Sequence, residues 1–516
     1  MPEEPTPDPG LEDLLDEVDT VVEPIAEVAA MGPGAGIASL GGPLVALPAD
    51  AEVPGIPAGA DSVRSGLLQA SPVAVAGMAV NVAGALVVVA VARLVTARTY
   101  GEIAQILGLF FILSMPGSAV LVGVVRRVSG LREAGHGDWV ARWVARVHRV
   151  CLAALAAELV VVLIVQGWIA RALSLPDGTS VVLILLAAGV WIVLSVDRGL
   201  LQAHRRYSGL AGNLLVEGGV RTVLVVALVA AGFGVTGYAF GVLACEVVAA
   251  VHARWLARRT VADNAGSSAP VATPGVPGGA GSGAPTPVAG RRRLLADVSA
   301  AFVGLALLGL LQNVDVLTVG RLNHAGAGPY AAISVASKAL VFGALALGAY
   351  LLPEATIRWN QGGHAVRQLL VTLVFLAVPA VVLLGIAVVA PEPFLTLVFS
   401  ARLASAAPAF ATLVVAMGFL SFTVLATNYL FGTGSRWIVL LLAAGSAAAL
   451  GLMEAAGGQA VATARADLAV QAALGAAMAA AFIGVHLRHR GQHWSRRAGW
   501  VGRRRATPPG APATDQ

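Results

Sequence analysis

The chain has 516 residues, of which 57% are hydrophobic and 12% charged, and its formal net charge is +5. Soluble domains carry about 25% charged residues, so a water-soluble globule is excluded as the body of this protein. Its two cysteines, Cys151 and Cys245, both lie in apolar stretches and supply neither a disulfide framework nor a zinc site.

Residues 1–61 hold thirteen acids and no Lys or Arg. No basic stretch precedes an apolar run, so the segment reads as a disordered acidic tail rather than a signal peptide. Six apolar segments follow, at 67–92, 103–125, 150–170, 181–201, 212–232 and 236–257. Each is long enough to cross the ~30 Å hydrocarbon core as a helix. A Gly/Pro/Ser-rich stretch at 258–293 reads as a flexible linker. Six further segments lie at 297–320, 328–353, 367–390, 408–431, 436–453 and 466–487, before a basic tail at 488–516. The expected domains are therefore an acidic tail (1–66), a six-helix lobe (67–257), the linker (258–293), a second lobe (294–487) and the basic tail. The expected fold class is an all-α integral membrane protein of twelve transmembrane helices in two six-helix bundles. Such two-lobe arrangements place a binding site between the lobes near the midplane.

Lys and Arg concentrate in the connections after the second, fourth, sixth, eighth and tenth spans and in the C-terminal tail. The opposite side holds six: Arg93, Arg98, Arg171, Arg321, Arg402 and Arg465. The positive-inside rule then puts both termini in the cytoplasm, in a cytoplasmic membrane. The lobes echo each other, Arg93 to Tyr100 with Arg321 to Tyr330, and Arg206-Tyr207 with Arg436-Trp437. Six helices separate the copies, which makes them parallel repeats. The single lysine, Lys338, stands between Ser337 and Ala339 and not in a Gly-Lys-Ser/Thr loop, so a Walker-type ATPase is excluded.

A charge near a membrane-helix centre costs ~2.5–3.5 kcal/mol on insertion scales and so needs a partner or a wet cavity. Eight of those inside the spans stand out: Glu158, Asp197, Arg198, Glu217, Arg221, Glu246, Asp315 and Lys338. Glu217 and Arg221 stand at i, i+4 in the favourable order for a pair. With Asp197 and Arg198 they form either a self-neutralising cluster that holds the first lobe together or a cationic site for an anionic head group. In the second lobe the seventh helix carries Gln312, Asn313 and Asp315, and the eighth a polar stripe of Tyr330, Ser334, Ser337 and Lys338. Asp315 and Lys338 lie at depths of about 9 and 12 Å, so the two can meet. That pair is either structural or a contact that breaks as the lobes rock. Pro116 should kink the second helix, while Gly237 and Gly241 open a small-residue packing face on the sixth. Asn81 is a lone polar group in the first helix. His486, His489 and His493 have metal spacing, but the arginines around them favour contact with anionic lipid.

These residues resemble the polysaccharide flippases, the Wzx-type members of the multidrug/oligosaccharidyl-lipid/polysaccharide (MOP) exporter superfamily. The likeness rests on Arg93 to Phe111 with its Tyr100-Gly-Glu step, and on Arg198 to Tyr207. Asn313 to Arg321, Tyr330-Ala-Ala and Leu351-Leu-Pro353-Glu add to it in the second lobe. The resemblance implies rocking of two bundles around a cavity that carries a polyprenyl-diphosphate-linked oligosaccharide. It implies substrate or cavity roles for Arg198, Arg221, Lys338, Asn81, Gln312, Asn313 and Ser334. Coupling or gating falls to Asp315, Glu246, Glu217 and Pro116. The expected partners are the lipid-linked oligosaccharide, the bilayer and a polysaccharide polymerase or glycosyltransferase, with no nucleic acid, cofactor or metal. A cation-coupled multidrug exporter of the same superfamily and a lipid II-type flippase are the alternatives. Short connections without acid–histidine clusters argue against an enzyme.

Overall fold

A computed structural model describes residues 60–133, 137–266, 287–360, 366–432 and 435–505. The acidic tail before residue 60 lies outside them. Among the described residues the chain is helical throughout, because a backbone in hydrocarbon must satisfy its polar groups within its own segment. In chain order the helices are α1 (Ala60–Leu94), α2 (Ala97–Glu133), α3 (Gly137–Ala172), α4 (Thr179–Ala203), α5 (Tyr207–Ala230) and α6 (Gly234–Gly266). The second series is α7 (Pro287–Leu322), α8 (His324–Asn360), α9 (Val366–Val389), the short α10 (Pro391–Val398), a 3-10 turn (Ala401–Ala406), α11 (Ala407–Gly432), α12 (Ile438–Ala455) and α13 (Ala460–Arg505). Eleven are long and apolar enough to cross a membrane among the described residues. The remaining expected span, 103–125, lies within α2.

The two series pack alike. In the first, α4 is central, against α2, α3 and α6, while α1 and α6 flank α5. In the second, α11 takes that place against α8, α9 and α13, with α7 and α13 flanking α12. Matching glycines also turn the chain at matching places. Gly232 and Gly234 between α5 and α6, and Gly457 and Gly458 between α12 and α13, all have positive φ, which only glycine adopts without a Cβ penalty. The molecule is thus two six-helix bundles in parallel repeat.

Several helices outrun the sequence reading. The expected linker is helical at both ends, since α6 continues to Gly266 and α7 begins at Pro287. Residues 258–265 hold no glycine or proline to stop α6, and proline at a first helical position is favourable. Pro353 does not close α8, which runs on to Asn360, and the basic tail continues α13 to Arg505. At 36 and 37 residues, α3 and α2 are about 55 Å long, so each projects well beyond a ~30 Å core. The helix holding Pro116 is continuous from Ala97 to Glu133, and the side chain of Pro116 lies outside the described residues. His486, His489 and His493 fall within α13, and the side chains of all three likewise lie outside the described residues.

The bundles meet chiefly through α2, which packs against α7 and α8. This seam runs along α2 from Ala97 to Met115, about 27 Å. At its outer end Gly328 lies so close to the Ala97 carbonyl that an added Cβ would come within 1.9 Å of the oxygen. Gly101 faces Ala327 and Gly328 in the same way. Deeper down, Gly108 faces Asn313, and Gly309 faces Ile112 and Met115. Past Met115 the described contacts of α2 turn inward to its own bundle, to Trp191 and Gly199 of α4. The molecule is therefore closed at the end that carries the α1–α2 and α7–α8 connections.

Candidate functional site

Two buried polar clusters occupy the bundles, and they differ in their relation to the seam. In the first bundle Arg198 of α4 donates from Nε to Asn213 Oδ1 of α5 at 2.7 Å. Its Nη2 pairs with Glu217, whose other oxygen takes Arg221 one turn further along. Arg221 also reaches Glu246 of α6 at 3.1 Å. The Asn213 amide donates to the Ala249 carbonyl at 2.8 Å, and Arg198 lies over the Trp191 ring at 5.2 Å. Towards the termini, Asp197 binds His148 Nε2 at 3.0 Å and Arg254 Nη1 at 3.2 Å. Charges balance along this chain of contacts, which ties α3, α4, α5 and α6 together.

None of these hydrogen bonds or ion pairs reaches the second bundle among the described residues. Arg198 and Arg221 are buried, with their guanidinium groups engaged by carboxylates. The low dielectric holds each cation against an acid of its own bundle, as in the self-neutralising alternative for this cluster. Glu217 and Glu246 are the partners in those pairs. Asn81, by contrast, is exposed on α1. Glu158 of α3 leans onto α4 at Gly189, where the missing side chain leaves room for its carboxylate.

The second cluster touches the seam. Lys338 Nζ of α8 lies 3.3 Å from Asp315 Oδ1 and 3.4 Å from Asn313 Oδ1, both on α7. Ser334 donates to Asp315 Oδ2 at 2.8 Å. Asn313 in turn faces Gly108 of α2 across the seam and anchors its amide on the Gly309 carbonyl at 2.9 Å. One side chain thus links the buried ion pair to the other bundle. Gln312 is buried beside them, and its Nε2 has no hydrogen-bond partner.

The sequence reading missed Asp467, a third charge of this cluster. It is fully buried on α13, within electrostatic range of Asp315, Lys338 and Tyr330. Gln471 donates to its Oδ1 at 3.1 Å, and its Oδ2 makes no hydrogen bond. Asp467 is seven residues inside the start of α13, and Asp315 is seven from the end of α7. Both therefore lie about 10 Å below the closed end. The cluster holds two carboxylates and one ammonium, which pairs with Asp315, so with both acids ionised it is one positive charge short. A chemical partner for that surplus is a proton or a small cation.

An open groove of about 800 Å³ lies at the closed end, lined by Arg93, Glu392, Thr396, Leu397, Phe399 and Ser400. Across it Arg93 donates to the Leu397 carbonyl, and Arg402 returns a bond to the Arg93 carbonyl at 2.9 Å. The α10 segment and the 3-10 turn, which have no equivalent in the first bundle, thereby strap the two bundles together.

The chain is similar in structure to a multidrug resistance MATE family transporter of the MOP superfamily in its inward-facing conformation. Identity is 12%, with 79% of this chain and 94% of that one covered at a TM-score of 0.54. An outward-facing MATE transporter of the same superfamily gives 15% identity over 90% and 98% of the two chains, at a TM-score of 0.46. The Vibrio cholerae MATE transporter VcmN in its bent form gives 13% identity over 92% and 99%, at 0.46. No family model and no curated protein matches the chain. The chain shares the fold of that inward-facing MATE transporter, and among the described residues eleven of its helices are long and apolar enough to cross a membrane.

Proposed function

We propose that this protein is a flippase in the cytoplasmic membrane. It moves a polyprenyl-diphosphate-linked oligosaccharide, a polysaccharide precursor, across the bilayer by alternating access. The observation that carries the mechanism is the one-sided seam. It seals the bundles from Ala97 to Met115 and places Asn313, bonded to Lys338, against Gly108 of the opposite bundle. With both termini cytoplasmic, as the arginine distribution supports, this is an inward-facing state.

The cargo assignment rests on the Arg93–Phe111, Arg198–Tyr207 and Asn313–Arg321 patterns. Arg198 and Arg221 leave the head-group role in this reading and become the frame of the first bundle. Lys338 takes that role. As the bundles part, Asn313 loses its facing surface and Lys338 gains access to an anionic group. Asp467 and Asp315 supply the coupling site for a proton or cation. Polysaccharide polymerases and glycosyltransferases are the partners this cargo implies.

A second reading, a cation-coupled multidrug exporter, draws on Asp467, since its unpaired carboxylate oxygen suits cation entry without any anionic cargo. Depletion in the host followed by mass spectrometry of lipid-linked sugars separates the two. Accumulation of one complete repeat unit supports the flippase. Unchanged lipid-linked sugars with raised retention of cationic dyes support the drug exporter and overturn the first reading.

A further inference from the structure

We propose that the acidic N-terminal segment of this chain docks on an arginine- and tryptophan-lined rim at the termini end of its own first bundle. The rim is built where α2 and α3 project beyond the membrane and meet the ends of α4 and α6. Residues 126–149, 204–206 and 254–263 hold eleven arginines against three acids. Arg142, Arg149, Arg205, Arg258 and Arg259 are all exposed there. Beneath them Val128, Trp143, Val144, Leu200 and Ala257 form one buried apolar cluster, so the helix ends that carry the charges are held together.

Two tryptophans stand out of this surface. Trp139 is 54% exposed with the Arg142 guanidinium 4.4 Å from its ring centre. Trp255 is 47% exposed, with Arg259 at 3.7 Å and the His252 ring stacked beside it. A rim of cations interleaved with aromatic faces fits a ligand that is both acidic and apolar at short intervals.

The N-terminal segment has that pattern. Residues 1–59 contain twelve acids and no Lys or Arg, and ten of the acids fall between Glu3 and Glu27. Among them Leu11, Leu14, Val18, Val21, Ile25 and Val28 recur every three or four residues. The segment joins α1 at Ala60, at the same end of the bundle as the rim. Fifty-nine residues of chain are more than long enough to cross the ~30 Å width of three packed helices. Tethering makes the encounter intramolecular, at an effective concentration in the millimolar range. The acids also decide between the rim and the bilayer. Anionic lipid head groups repel such a segment, whereas the arginines attract it.

The test is arginine modification by phenylglyoxal, mapped by mass spectrometry, on the full chain in nanodiscs of zwitterionic lipid. It is compared with a full-length variant in which the ten acids between Glu3 and Glu27 become Asn or Gln. In the native chain Arg142, Arg149, Arg258 and Arg259 should react about fivefold more slowly than in the variant, as a tethered ligand predicts. That difference should vanish in about 0.5 M salt, where the Debye length is about 4 Å. Arg98 and Arg171, at the opposite end, should react equally in both. Equal rates at the rim in the two chains overturn the proposal. So does protection that appears only when anionic lipid is added and persists in the neutralised variant, because lipid is then the occupant.

Discussion

Replacing Lys338 by methionine removes the one cation from a cluster that otherwise holds two buried carboxylates. Asp315 is fully buried, and its oxygens take Lys338 at 3.3 Å and Ser334 at 2.8 Å. Without the lysine one oxygen keeps a hydroxyl donor, and the other faces a residual negative charge with Asp467 nearby. Breaking a buried pair by removing one partner costs about 3–5 kcal/mol. Methionine keeps the aliphatic stem, so cavity formation contributes little and the loss is electrostatic. The double variant Asp315→Asn, Lys338→Met removes both members of the pair, leaves Asp467 as the cluster's one carboxylate, and should recover more than half of that loss. Reversible unfolding in mixed micelles, run on wild type, both single variants and the double variant, gives the coupling energy directly. A Lys338→Met cost below about 1 kcal/mol, or a double variant no better than the single, would refute the argument.

Three further expectations follow from the same geometry. Gly328→Val brings a side chain onto the Ala97 carbonyl and should pry the seam open. Labelling of a cysteine at Ile112 from the closed end should then rise about tenfold, equivalent to ~1.4 kcal/mol, and an unchanged rate contradicts the seam as the gate. Arg198→Met should lower stability by about 3 kcal/mol by leaving Arg221 as the one cation between Glu217 and Glu246, yet leave cargo affinity per folded molecule unchanged. Weakened affinity would return Arg198 to the cavity. Asp467→Asn removes a buried carboxylate with an unpartnered oxygen and should not destabilise the protein. It should abolish dependence of transport on the driving ion gradient, and a retained dependence would assign the coupling elsewhere.

Much of this architecture was legible because insertion into hydrocarbon imposes a coarse, one-dimensional code. Segment length and polarity alone mark the spans. The Glu217–Arg221 pair follows from helical spacing, and the Asp315–Lys338 contact from matched depths on adjacent helices. What sequence could not supply was the facing of each helix. Arg198 turns towards Asn213 and Glu217 rather than the seam because α4 is the central helix of its bundle, a fact of packing. Asn81 sits on the exposed side of α1 for a similar reason. Asp467 was hidden by a boundary. Its helix begins at Ala460, where Ala-rich sequence lacks a hydropathy edge, and this moves the acid a full two turns into the membrane. The strap formed by α10 and the 3-10 turn gives no signal either, since it is a short apolar stretch between two longer ones.

Flipping in proteoliposomes decides whether this chain moves the lipid-linked oligosaccharide. A fluorescent polyprenyl-diphosphate oligosaccharide is reconstituted with the purified chain, and a membrane-impermeant quencher reports the leaflet it occupies. Quenching should rise from about half of the signal towards all of it, as lipid in both leaflets becomes accessible through alternating access. Lys338→Ala, or excess unlabelled carrier, should suppress that rise. Quenching that stays at the protein-free level, while the same vesicles take up a cationic dye along an ion gradient, would contradict the flippase and favour the multidrug reading.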